Sequence, residues 1–299
     1  MKIIYCLFSA LALILMEAPF IRAVAVGTTG PEELKIPMGV RPIAMGQSFV
    51  AVADDANAIS WNPAGLRSLG GTHLTAQYDV FIDTVSYNYF AGAAKLSKEI
   101  GVGLSGVLLS SGPGAIYSNY MNINLAGALK LDYHFDVGLT AKFISKDLSG
   151  TSASTFAFDL GAIYTTPIPH LRAGLNIQNV GLPMKFIAQP DPLPFNVKIG
   201  AAYKMFEDDF TVALDVNVPN DNAVAVSLGG EYWYKDVLVG RFGYRFQGEF
   251  NLNQTGGNDL YLGAGVKIKA FGHFVGLDYA WTDVGFFGAN HHFALDVYL

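Results

Sequence analysis

The residues of this 299-residue chain that could do chemistry are few, and their spacing speaks against catalysis. His291-His292 is the only histidine doublet, but neighbouring residues on a strand point to opposite faces, and no third ligand is near in sequence. Gly101 to Gly106 reads GVGLSG and fits the dinucleotide pattern G-x-G-x-x-G. It lies within an extended stretch and opens no helix, so the phosphate-binding reading fails. Cys6 is the only cysteine and sits in a leading apolar run, which leaves the rest of the chain without thiolate nucleophile, thiolate metal ligand or disulfide. The other histidines, His73, His134, His170 and His273, form no Ser/His/Asp set with the serines, which fall mostly in loops or strand starts. No catalytic, cofactor-binding or metal-binding residue is therefore expected. A lipid hydrolase would need a Ser and a His on adjacent strands at one rim.

The charges that do suggest a site lie elsewhere. Between residues 26 and 70 the sequence is irregular, with one short helix expected over Asp55 to Ser60 and stopped by Pro63. Asp54, Asp55 and Asn57 can cap that helix by accepting its free N–H groups, and Asn62 is pushed toward an extended conformation by Pro63. Arg41, if this segment is enclosed, needs a carboxylate, and Asp54 or Asp55 can supply it. Pro42, Met45, Phe49, Trp61 and Pro63 are too apolar for a free tail. A second group of charges alternates with apolar residues further on: Lys198, Glu231, Arg241, Lys267 and Asp278 all fall on the face opposite the large apolar side chains. With Lys142, Asp159, Arg172, Lys204, Asp215, Arg245 and Lys269 they make a face of mixed sign, expected to be internally salt-bridged rather than an ion-selective pore.

The elements that must position these residues follow from composition and period. Lys2, the apolar run Ile3 to Met16 and the small residues Ala23-Val24-Ala25 read as a secretory signal with cleavage after Ala25. Hydrophobic residues make up 51% of the chain and charged ones 15%, with a net charge of -6 and no basic stripe, which sets nucleic acid aside. Mean hydropathy is +0.31. Beyond the leader no uninterrupted apolar run reaches the roughly 18 residues of a spanning helix. An apolar chain without apolar helices can bury that surface in lipid only as a closed barrel, because lipid cannot satisfy an open strand edge.

From Gly71 onward the period is two. Val197, Ile199, Ala201, Tyr203 and Met205 share one face, against Lys198, Gly200, Ala202 and Lys204 on the other. Fourteen such segments are expected between residues 72 and 299, from 72–81 and 84–96 to 273–282 and 290–299. That leaves about 16 residues per strand with its connection, the spacing of a tilted transmembrane strand. Links after even strands are short, such as Glu207-Asp208 and Phe271-Gly272, while most links after odd strands are longer: Ser111 to Asn119, Asp147 to Ser152, Gly181 to Phe195, Gly248 to Asp259 and Asp283 to Ala289. Short turns at one end and longer loops at the other fit a barrel with both termini in the periplasm. Tyr203, Phe242, Tyr244 and Tyr279 should face lipid. The chain thus divides into a signal peptide (1–25), an N-terminal segment (26–70) and a transmembrane all-β antiparallel barrel (71–299).

Gly39 to Leu66 reads GVRPIAMGQSFVAVADDANAISWNPAGL, which resembles the N-terminal signature of PorV/PorQ-like proteins, themselves grouped with FadL-type transporters of the outer membrane. FDLGAIY at 158–164, GLNIQNVG at 174–181, GEYWY at 230–234, RFGY at 241–244 and LDYAW at 277–281 extend the likeness over nearly the whole chain. The resemblance implies a fourteen-stranded barrel whose N-terminal segment folds inward as a hatch, with Arg41, Asp54, Asp55, Trp61, Asn62 and Pro63 as its candidate residues. It implies a non-catalytic role in outer-membrane transport or, with type IX secretion components as partners, in protein secretion. The alternatives are a channel for uptake of small hydrophobic molecules and a structural or interaction barrel. Outer-membrane lipid is the expected surroundings in each case.

Overall fold

The computed structural model describes residues 29–80, 85–111, 117–247, 259–283 and 288–299. The expected leader and its cleavage site lie outside the described residues, as do most residues of three of the expected longer links. The barrel wall begins with β1 (Thr72–Val80), β2 (Val85–Lys95), β3 (Ile100–Ser111) and β4 (Ser118–Lys130). It continues with β5 (Phe135–Leu148), β6 (Thr151–Thr165) and β7 (Leu171–Gly181). A two-residue pair, β8 (Met184–Lys185) and β9 (Pro190–Asp191), stands apart in the long link that follows. Then come β10 (Asn196–Met205), β11 (Phe210–Pro219), β12 (Ala225–Tyr234) and β13 (Leu238–Gln247). β14 (Leu260–Ala270), β15 (His273–Asp283) and β16 (Ala289–Tyr298) complete the wall. Each wall strand pairs antiparallel with its sequence neighbours, and β1 pairs with β16, for example Ala76 opposite Leu295, so the sheet closes with no edge.

The period of two sorts side chains by size as well as polarity. On β4, Leu125 is 63% exposed while its neighbours Ala126 and Asn124 are buried. Leu104, Phe156, Ile199 and Leu277 point outward in the same way, and together such residues clothe the wall in apolar surface. Tyr203 and Phe242 are exposed on this face, with Tyr244 and Tyr279 half-buried. A closed sheet with an apolar outer face is the β solution for crossing a bilayer, because closure leaves no strand edge unpaired in lipid. The inward face is rich in alanine, glycine and polar residues, with larger buried side chains such as Tyr87, Tyr89, Tyr120 and Ile144 among them.

The connections correct one expectation. The link over 147–152 is not a loop: β5 and β6 run straight into each other through Ser149 and Gly150, at φ 50° and 89°. Two successive left-handed residues make the tight hairpin turn that matches strand twist. Asp147 fastens it by accepting from the Gly150 N–H at 3.1 Å and the Ser152 hydroxyl at 2.6 Å. At the opposite end Phe271 and Gly272 make the same kind of turn, at φ 52° and 85°.

Candidate functional site

The N-terminal segment has more local structure than its sequence suggested. A 3-10 turn covers Glu32–Lys35, one short helix spans Val40–Ala44 and another Ala58–Trp61, and a second 3-10 turn follows at Pro63–Ser68. The helix expected over Asp55–Ser60 is therefore shifted toward Trp61, and Pro63 opens a turn as well as ending a helix. Asn62 is extended (φ -165°, ψ 101°), as a residue before proline should be. Its carboxamide accepts from Ala64 N–H and donates to the carbonyls of Val50 at 2.8 Å and Ala162 at 3.1 Å. Asp55 does not cap the helix directly; its carboxylate accepts from the Asn57 N–H at 2.8 Å, closing the turn before it.

Irregular backbone enclosed at membrane depth must find its hydrogen bonds in the surrounding protein. Here inward side chains of the wall supply them. Asp215 on β11 accepts from the N–H groups of Phe49 (2.7 Å) and Val50 (2.9 Å). Gln77 on β1 accepts from Gly39 N–H at 2.7 Å. Thr140 on β5, Asn176 on β7 and Gln178 on β7 donate to the carbonyls of Ile59, Trp61 and Ser60. His73 Nδ1 accepts from Ala56 N–H at 2.9 Å, which leaves Nε2 to meet Asp296 at 3.0 Å. Phe49, Met45, Ile43, Ile59 and Leu66 are all fully buried among these groups. None of the wall residues that hold the backbone was singled out from sequence for that task; the available signal was a polar residue at inward parity.

The approach is close enough to require glycine. A Cβ on Gly243 of β13 would stand 2.0 Å from Gly46 N and 2.4 Å from the Met45 carbonyl carbon. Gly101 and Gly103 of the GVGLSG run serve the same end, facing Leu66 and Ile59.

Among the charged residues are one extended network and two lysines without an ion pair. Arg41 holds Glu231 of β12 through two contacts of 2.8 Å and reaches Asp54 at 2.7 Å and Asp55 at 2.9 Å. Glu231 also accepts from Arg241 at 2.6 Å, and Arg241 pairs with Asp278 at 2.9 Å. Six of the predicted residues thus form one chain of alternating charge from the N-terminal segment into the wall. Burial alone would raise the Asp54 carboxyl, but the Arg41 guanidinium, with Lys204 and Arg172 behind it, holds it below its usual range. Lys198 and Lys267 correct the expectation of a fully salt-bridged lumen. Neither has an ion-pair partner among the described residues; the Lys198 ammonium lies 4.2 Å from the centre of the Trp61 ring and Lys267 lies 4.7 Å from that of Trp233.

These features border two cavities. One of about 290 Å³ opens at the loop mouth, lined by Met38, Trp61, Lys198, Arg245 and Tyr261 among others. The second, of about 430 Å³, lies at the mouth holding the strand termini, lined by Asp54, Asp55, Leu69, His73, Lys267 and Tyr298 among others. The N-terminal segment contributes to both. No group of three or more His, Cys, Asp or Glu residues suited to a metal ion occurs among the described residues. His292 meets Asp79 at 2.8 Å, while His291 on the other face meets the Tyr279 hydroxyl at 2.8 Å.

No family model matches the chain, and no curated protein matches it. Solved structures do share its fold. A Pseudomonas aeruginosa FadL homologue superposes with a TM-score of 0.61 at 11% identity, over 91% of this chain and 99% of the other. The Ralstonia pickettii toluene transporter TbuX gives 0.59 at 14% identity, over 87% and 97%. The Pseudomonas putida toluene transporter TodX gives 0.58 at 11%, over 85% and 96%. What is shared with these structures is the barrel fold, whereas the PorV/PorQ resemblance rests on the sequence signature alone.

Proposed function

We propose that this chain is an outer-membrane barrel for the uptake of small hydrophobic molecules, with residues 29–70 acting as a hatch across its lumen. The observation that carries the reading is the pair of cavities, one at each mouth, with the N-terminal segment between them. A segment that only filled space would need no cavity on its far side. A solute entering from the loop mouth meets the Met38 and Trp61 surface of the segment; leaving by the other mouth requires the segment to shift. The likeness to barrels described as toluene transporters supports the same direction of thought, and the apolar outer wall with the expected leader supports an outer-membrane location.

Secretion is the second reading, favoured by the 39–66 signature. The two readings part in one experiment. Cells assembling this barrel in their outer membrane should take up toluene several-fold faster than cells without it. Unchanged toluene entry, with the barrel present and heat-modifiable on a denaturing gel, removes the uptake reading.

A further inference from the structure

The polar lining of the loop-mouth cavity does not match a purely hydrocarbon solute. Four cationic side chains face it: Lys35, Lys142, Lys198 and Arg245. Two of them are neutralised, Lys35 by Asp221 and Glu32, and Lys142 by Asp159 at 2.7 Å. The other two are not. Lys198 rests on the face of Trp61 with no carboxylate at ion-pair distance among the described residues. Arg245 donates through Nη1 to Gln47, a neutral group, and makes no ion pair among the described residues. Asp259 borders the same cavity but stands beyond ion-pair distance of both.

Burying a cation without an ion-pair partner is costly, and such a cation in a cavity wall is a binding group for an anion. Trp61, Tyr261 and Met38 add apolar surface around the same space. The cavity volume of about 290 Å³ lies at the low end for small-molecule pockets, which suits one ring rather than an extended chain. The far cavity repeats the theme: Lys267 lies among the rings of Trp233, Phe274 and Tyr298, again without an ion-pair partner among the described residues.

We infer that the loop-mouth cavity binds a small aromatic carboxylate, its carboxylate held by Lys198 and the Arg245 guanidinium and its ring by Trp61 and Tyr261. Lys267 offers a second cationic station beyond the N-terminal segment. As a binding claim this stands on the cavity alone; as a statement about cargo it rests on the uptake reading.

The test uses the whole chain purified in a neutral detergent at pH 7, titrated calorimetrically with benzoate and with benzamide, its neutral analogue of nearly the same shape. Benzoate should bind more tightly than benzamide. Lys198→Gln should weaken benzoate about tenfold or more, the loss expected for one charge-assisted hydrogen bond, and leave benzamide unchanged. Lys198→Arg should restore most of the benzoate affinity, which a merely misfolded variant could not do. Equal binding of the two probes, or benzoate binding indifferent to Lys198→Gln, overturns the inference. Toluene entry into cells without benzoate binding would sink the anion site and leave the uptake reading standing; benzoate binding without entry of either probe would do the reverse.

Discussion

Arg41 and Glu231 meet in a two-point contact, Nε to Oε2 and Nη2 to Oε1, both at 2.8 Å, that ties the N-terminal segment to the barrel wall across 190 residues of sequence. The planar guanidinium fits the carboxylate fork, and the remaining Nη1 turns to Asp54 and Asp55 on the segment itself. The pair is a latch. It joins the element proposed to move with the element that cannot.

Removing one partner leaves the other charge buried. Arg41→Gln or Glu231→Gln should each cost the seating of the segment roughly 3–5 kcal/mol, and the double variant less than the sum of the two. Trypsin sensitivity of the segment in detergent would report this. Additive losses would mean that the contact carries no coupling.

A steric test reaches the same element without touching charge. Gly243→Ala places a methyl where Gly46 and Met45 already stand, and should displace the segment at a cost of about 1–3 kcal/mol while β13 keeps its pairing. Heat-modifiable migration should persist, with faster proteolysis between residues 39 and 69. Wild-type protection in this variant would contradict the close approach.

The pH dependence follows from Asp54. Its carboxyl titrates below its usual range because Arg41 outweighs burial, so its contribution is full above the unfolded value near 4 and is lost as pH falls through the lower folded value. The Asp54 contribution to seating, read as the difference in protection between wild type and Asp54→Asn, should therefore hold from pH 7 to about 5 and fade only below about 4. Loss of that difference already at pH 6 would contradict the assignment.

Arginine at Ile199, which is 49% exposed on the outward face of β10, should cost about 2–4 kcal/mol if that face lies in hydrocarbon. Ile199→Leu should cost far less. Refolding into lipid vesicles would measure both, and equal effects would place Ile199 outside the membrane.

Much of this was legible in advance, for a reason visible in single strands. On β10, Val197, Ile199, Ala201 and Tyr203 alternate with Lys198, Gly200, Ala202 and Lys204, and a wall between lipid and a crowded lumen imposes that pattern directly. Arg41 with Asp54 and Asp55 was legible too, because an enclosed cation demands a nearby acid. Glu231 as its two-point partner was not, since nothing in a sequence relates positions 41 and 231 until the barrel closes. The helix Val40–Ala44 is not legible in the sequence, because five residues holding Pro42 show no helical period. The tight turn at Ser149-Gly150 is not legible in the sequence, because Ser149, with an ordinary side chain, gives no sign of its positive φ. Lys198 was expected in a salt bridge; its resting place on Trp61 depends on a contact between strand and segment that alternation cannot encode.

The central claim, that the N-terminal segment closes the lumen, is tested most directly by conductance in planar bilayers. The wild-type barrel should conduct poorly, since side chains and backbone of residues 39–66 fill the space a water column would need. Deleting 39–66 should give a barrel that still shows heat-modifiable migration and now carries a steady, open-channel current. A folded deletion barrel with wild-type conductance would contradict the account.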